Sequence, residues 1–236
     1  MKLAFLEQLL DASRSRSAGA LVTDLGSGAQ RLLTLQHSVG DLSLDDEEFA
    51  RVRRAIDEDR SQIVAMPTRE VFVEVWSAAL RLIVGGGVHT AQSLVPLAKL
   101  LGYDVTLVDP RAAFASAFRF PDTSLIIEWP EVAVPRLEPD RRTAVVTLTH
   151  NPRIDDPALI AALRSEAFYI GALGLRRTHK QRRERLGREG FDAAALNRIH
   201  GPIGLAIGAI TPTEIAVSIM AEITAVLRRS PLAVRA

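Results

Sequence analysis

The stretch LRLIVGGGVHTAQ, Leu80 to Gln92, carries the reading of this chain, together with Asp109 at the end of the next apolar run. Leu80 to Val84 is a short β-type run, Gly85, Gly86 and Gly87 form a turn, and the residues from Val88 onward open a helix. Strand, glycine loop and helix in this order make the phosphate cradle of a dinucleotide fold. Glycine at 85 permits the tight turn, and glycine at 87 lets the backbone approach a pyrophosphate lying on the helix amides. The third position of the pattern, where glycine or alanine packs helix closest to strand, is Thr90. Asp109 stands about 20 residues further on, where an acidic side chain accepts from a ribose hydroxyl pair. His89, one residue into the helix, either donates to a ligand phosphate or faces solvent. A bare structural turn would use the same glycines, and the matching context on both sides favours a nucleotide ligand.

Outward from this stretch the chain divides into two patterns. Towards the carboxyl terminus β-type runs alternate with helical ones, at Asp104 to Asp109, Ser124 to Glu128, Thr143 to Thr149 and Phe168 to Leu173. That alternation predicts βαβ units and a mostly parallel, Rossmann-like sheet over residues 78–236. Asp155 or Asp156 before Pro157 reads as a helix start, and Pro96 falls inside the helix that follows the glycine loop, where it should bend it. Thr211-Pro212-Thr213-Glu214 combines a threonine cap, a first-position proline and a box-closing glutamate, so a helix runs from Pro212 to about Leu227. Towards the amino terminus, residues 1–77 read as a small α+β domain. It comprises an amphipathic helix over residues 1–16, a hairpin of Ala20 to Leu25 with Gln30 to Gln36 around Gly26-Ser27-Gly28, a charged helix from Asp45 to Arg60, and β-type runs at Gln62 to Ala65 and Glu70 to Trp76.

Composition narrows the function classes. The 236 residues are 47% hydrophobic with a formal net charge of +1, which fits a well-buried core and calls for neither nucleic acid nor an anionic membrane. No run reaches the roughly 18 to 20 apolar residues of a membrane span, no export signal is evident, and the chain reads as a soluble cytoplasmic protein. The chain has no cysteine, which removes disulfides, thiolate metal sites and a cysteine nucleophile. Its five histidines show no metal-binding spacing, and neither a nucleophile elbow nor a lysine-bearing phosphate loop is present.

Ligands of open α/β sheets sit beyond the carboxyl ends of the strands. Two further polar segments fall there. Thr149-His150-Asn151 ends one run, and His150 is either an acid, base or ligand-orienting group or a strand-end residue without function. Gly171-Ala172-Leu173-Gly174 ends another and leads into Arg176-Arg177. Residues 176–188 hold seven lysines and arginines and one acidic residue. Such a run is usually a solvated face, but Arg176 and Arg177 adjoin the expected phosphate site, where arginine suits bidentate anion binding.

Four long blocks carry a family resemblance: VGGGVHTAQSLVPLAKLLGYDVTLVDPRAAFA, VVTLTHNPRIDDPALIAALRS, FYIGALGLRRTHKQRRERL and IHGPIGLAIGAITPTEIAVSIMAEI. In these the chain resembles the xanthine dehydrogenase accessory proteins, also found beside carbon monoxide dehydrogenase genes, from Glu70 to about Ile223. The resemblance implies a small amino-terminal domain before a Rossmann domain. It also implies a chaperone that binds molybdenum cofactor, as molybdopterin or its cytosine dinucleotide. Such a chaperone assists sulfuration by a cysteine desulfurase and passes the cofactor to a molybdenum hydroxylase apoenzyme, without turnover of its own. Cofactor contacts are then expected from Gly85, Gly86, Gly87, His89, Thr90, Asp109, His150, Gly171, Gly174, Arg176 and Arg177. The chain departs from the family pattern in three places. It lacks the first-domain cysteine, having only His37-Ser38-Val39-Gly40-Asp41 nearby, Leu175 replaces a common serine, and Ala206 replaces a common aspartate. An NAD(P)- or FAD-dependent oxidoreductase would use the same glycine loop and Asp109, and a purely structural partner of the assembly complex would need no ligand. A homodimer is expected, as for small assembly factors generally.

Overall fold

The computed structural model describes residue 16 and residues 18–34 and 37–233. Residues 1–15 of the expected amino-terminal helix, and the last two positions of the Gln30 to Gln36 run, lie outside them. The chain forms two compact units, residues 1–79 and 80–236. The sequence reading set the boundary at Ser77, two residues earlier.

In the first unit an antiparallel sheet has the order β3-β2-β1-β5-β4, built from β1 (Gly19–Asp24), β2 (Gln30–Thr34), β3 (Ser38–Gly40), β4 (Gln62–Ala65) and β5 (Glu70–Trp76). The β1–β2 hairpin turns at 26–28, where the Asp24 carboxylate accepts from the Gly26 and Ser27 amides at 2.8 Å each. Helix α1 (Asp46–Asp57) starts at the Asp45 cap with a closed capping box through Glu48. It lays Val52 and Ala55 on the buried sheet residues Ala20, Val22, Val71 and Val73. Strand β3 is three residues long, below what periodicity can signal.

The second unit is a six-stranded, all-parallel sheet of order β11-β10-β9-β6-β7-β8. Its strands are β6 (Leu80–Gly85), β7 (Tyr103–Val108), β8 (Ser124–Ile126), β9 (Thr143–Thr147), β10 (Tyr169–Ala172) and β11 (Ile199–His200). Numbered from β6, this is the 3-2-1-4-5-6 order of the doubly wound dinucleotide fold, with its switch point between β6 and β9. The helices are α2 (His89–Leu100), α3 (Pro130–Arg136), α4 (Pro152–Leu163), α5 (Arg176–Arg188), α6 (Ala193–Asn197) and α7 (Pro212–Leu227). Because successive strand residues point to opposite faces, Leu82 and Val84 pack under α2 and α7 while Ile83 packs under α3 and α4. Burial of each such side chain contributes about 1.5 to 3 kcal/mol.

Local signals set some boundaries and not others: the charged helix expected to reach Arg60 ends at Asp57. Thr211 caps α7 in a closed capping box with Glu214, as its four-residue signature predicts. Helix α4, by contrast, begins at Pro152 behind an Asn151 cap, so Pro157 lies within the helix and not at its start. Asn151-Pro152 presents the same cap-proline signal one turn earlier, and Asp155 is drawn into tertiary contacts instead. Pro96 lies within α2.

Candidate functional site at the carboxyl edge of the parallel sheet

The glycine loop is packed by its own chain. Gly85, Gly86 and Gly87 are all buried. Gly86 has a φ of 107°, and a Cβ there would lie 2.2 Å from the Thr149 methyl. At Gly87 a Cβ would lie 2.4 Å from the Phe114 carbonyl oxygen. The close approach that glycine 87 permits is therefore made by the segment joining β7 to β8, in the place the sequence reading assigned to a pyrophosphate. Arg119 fastens that segment, donating to the Gly87 carbonyl at 2.6 Å, to the Phe114 carbonyl at 3.0 Å and to Gln92 at 3.1 Å. The Arg111 guanidinium lies 3.9 Å from the Phe114 ring centroid.

Asp109 is the other end of this fastening. Its carboxylate, fully buried, accepts from the Gly87 amide at 2.9 Å, from the Arg111 amide at 3.0 Å and from the Arg111 guanidinium at 2.9 and 2.8 Å. These partners stand where ribose hydroxyls were expected. Burial pushes the Asp109 carboxyl up, but the hydrogen bonds from Arg111 and Gly87 together with the Arg111 charge outweigh it and hold it below the ordinary range. A carboxylate depressed in the folded state stabilises above its unfolded pKa of about 3.9 and loses that contribution as pH falls through the folded value. Asp109→Asn is thus expected to destabilise the chain by about 2 kcal/mol at pH 7, the order of a hydrogen bond to a charged group. That deficit should shrink below about pH 4. Denaturant titrations of both proteins from pH 7 to pH 3 check this, and a deficit independent of pH refutes it.

Beyond β9 the chain turns through His150, exposed and at a φ of 59°, into α4. Asp155 on α4 reaches back to accept from the Thr149 amide at 3.2 Å and hydroxyl at 2.7 Å. Its second oxygen lies 3.6 Å from Arg182, and both side chains are at most 2% exposed. Arg182 donates to the Leu173 carbonyl at 3.0 Å, while its Nε and Nη1 have no hydrogen-bond partner among the described residues. Burial pushes Asp155 above its ordinary value against the pull of Thr149 and Arg182. A physical chain therefore joins the glycine loop to the end of β10, through Gly86, Thr149, Asp155, Arg182 and Leu173.

At the ends of β10 and β11 an open groove of about 920 Å³ lies between residues 173–176, the loop 201–209 and helix α7. Beneath it Glu222, 1% exposed, accepts from the Tyr169 hydroxyl at 2.5 Å and the Gly204 amide at 2.8 Å. His200 stacks on Tyr169 with centroids 4.6 Å apart and sets Nδ1 3.3 Å from Glu222. Gly171 is buried in β10, where a Cβ would lie 2.4 Å from Ile203. Helix α5 starts behind Leu175 with no side-chain cap and no acidic residue in its first turn, an arrangement that favours a negative charge at that end.

The XdhC Rossmann domain model matches residues 82–223, well over half of the chain. The chain belongs to the XdhC family. The chain is 31% identical over 147 residues to the molybdenum cofactor insertion chaperone PaoD of Escherichia coli, covering 62% of this chain and 40% of PaoD. It is 29% identical over 163 residues to a probable xanthine dehydrogenase subunit of Bacillus subtilis, covering 69% of this chain and 47% of that protein. It is also 29% identical over 163 residues to the uncharacterized protein YqeB of E. coli, covering 68% of this chain and 30% of YqeB. The chain thus spans less than half the length of these relatives. A crystal structure from Bacillus halodurans, described as a xanthine dehydrogenase, shares the fold at a TM-score of 0.70 and 24% identity, covering 96% of this chain and 64% of that one.

Within this XdhC domain the expected site residues separate into groups. Gly85, Gly86, Gly87 and Asp109 meet as a closed loop, and Thr90 is buried beside them, while His89 and His150 are exposed. Gly174 and Arg176 line the groove, and Arg177 is exposed on the first turn of α5. Leu175 and Ala206, both departures from the family pattern, line the same groove. The basic run of α5 divides as well: Arg182 is buried, Arg183 binds Leu196 and Asn197, and Arg185 pairs with Asp156. Sequence reasoning missed Arg111, Arg119, Asp155, Arg182 and Glu222, whose partners lie across the fold. The glycines at 201, 204 and 208 were the available signal for the groove loop. Among the described residues no group of histidine, aspartate and glutamate could hold a metal ion, and no helix is long and apolar enough to cross a membrane.

Proposed function

We propose that this chain is the cofactor-binding part of an accessory factor that matures a molybdenum hydroxylase, holding molybdenum cofactor by its phosphate and passing it to the apoenzyme. The observation that carries this reading is membership of the XdhC family, with a molybdenum cofactor insertion chaperone among the relatives. The residues fit a phosphate-bearing ligand at one place better than another. Phe114 fills the face of Gly87, whereas the first turn of α5 is uncapped and carries the exposed Arg176 and Arg177 beside an open groove. Those two arginines and the α5 amides would hold the phosphate, and the cofactor when bound supplies the metal and dithiolene chemistry used by the hydroxylase. The first turn of α2 follows β6, two strands from β10 along the same carboxyl edge of the sheet. A cysteine desulfurase, a hydroxylase apoprotein and a second copy of the chain are its proposed partners, and no turnover of its own is required.

Equilibrium dialysis against molybdopterin, its cytosine dinucleotide, NADP and FAD tests the reading. Pterin binding is expected, weakening at least tenfold in Arg176→Ala/Arg177→Ala and falling with salt, as phosphate contacts do. Tight NADP or FAD binding with no response to either pterin overturns it.

A further inference from the structure

The glycine loop is packed and the β10–β11 groove is open, so a flat ring has room only at the second. We propose that the groove receives the pterin ring of the cofactor, edge-on to loop 201–209, with its phosphate tail directed to Arg176. This rests on the cofactor-binding reading above.

Four observations carry it. The volume, about 920 Å³, falls within the range of small-molecule sites. The sides are apolar, formed by Leu173, Leu175, Ile203, Ile207 and Ile215, which suits the two faces of a planar ring. Along the loop the amides of Ala206, Gly208 and Ala209 have no hydrogen-bond partner among the described residues. Free donors along one segment complement the carbonyl and ring nitrogens on a pterin edge, while the apolar sides exclude water from those bonds. The loop is also held ready: Ile203 donates to Ala172 at 3.2 Å, Gly204 to Glu222 at 2.8 Å and Leu205 to Ser218 at 3.1 Å. A site already ordered pays little entropy on binding. Arg176, at the groove, is the cation nearest in sequence to its apolar side at Leu175 and supplies the phosphate partner.

The test fills the groove from exposed positions, where a larger side chain leaves the core intact. Ala206→Trp and Ile207→Trp are each compared with wild type for molybdopterin binding by anaerobic equilibrium dialysis, with thermal unfolding as the folding control. Both are expected to unfold as the wild type does and to weaken molybdopterin at least tenfold. Hydrogen exchange of the unaltered chain supplies a second readout, with molybdopterin expected to protect amides 206–209. If the wild type binds molybdopterin and both variants bind it equally, or protection is confined to residues 87–91, the groove assignment is wrong and the cofactor reading stands. If the wild type binds no molybdopterin, the cofactor reading fails and the groove assignment with it.

Discussion

Gly86→Ala should lower the unfolding free energy by about 4 kcal/mol, as the sum of backbone strain and overpacking. At a φ of 107° an alanine is strained wherever its side chain points. The new methyl would also stand 2.2 Å from the Thr149 Cγ2. Thr149 cannot swing aside cheaply, because it is β-branched and its hydroxyl is held by Asp155 at 2.7 Å. Gly87→Ala should cost about 3 kcal/mol by overpacking alone. The obstacle is the Phe114 backbone, at 2.4 Å from its oxygen and 2.8 Å from its carbon, and Arg119 ties that carbonyl in place. Gly85→Ala is the internal control. Its nearest neighbour is the Val146 carbonyl at 3.4 Å, so its cost should stay below about 1 kcal/mol. Denaturant unfolding of the three variants gives the order 86, 87, 85, and three equal costs would refute the packing account. Loss of ligand binding in a Gly87 variant would therefore report collapse of the loop, whereas Arg176 and Ala206 are exposed and report on the ligand.

The second large effect lies at the buried pair. Arg182→Met should destabilise by about 3 to 5 kcal/mol at neutral pH, because it strands the Asp155 charge where water cannot reach. Adding Asp155→Asn should recover most of that loss, since the amide oxygen still accepts from Thr149 and no charge remains to be buried. The pH dependence has a definite sign. Asp155 is already raised by burial, and without Arg182 it is raised further. A carboxyl raised in the folded state penalises folding increasingly as pH climbs above its unfolded value of about 3.9, and the penalty vanishes below it. The single variant should thus approach wild-type stability near pH 4 while the double variant shows little pH dependence of its deficit. Unfolding curves at pH 4 and pH 7 decide this. A single-variant cost under about 0.5 kcal/mol at pH 7, the scatter of ordinary surface substitutions, would show that the pair contributes no such constraint.

These two sites show where reading from residues stops. The cap at Thr211, the turn at 26–28 and the strand of Leu80 to Val84 are each written within a few neighbouring residues. Helix α4 was misplaced by one turn although its own signal, Asn151-Pro152, was present, because Asp155-Asp156-Pro157 offers the same chemistry. What separates them is Asp155 turning to Thr149 and Arg182, the latter 27 residues away on another helix.

Strand and helix periods, caps and turns are local, so the sequence by itself determined the alternating α/β pattern, the parallel sheet and the XdhC resemblance from its ordered blocks. It also located the glycine loop. Only the tertiary structure decided how that loop is packed: Asp109 binds Gly87 and Arg111, Phe114 covers Gly87, and an open groove forms two strands away. The groove draws on residues 173–176, 201–209 and α7, segments brought together by the winding of the sheet. Which polar group meets which, and which face is left open, follows from packing between distant segments, and no spacing along the chain encodes it.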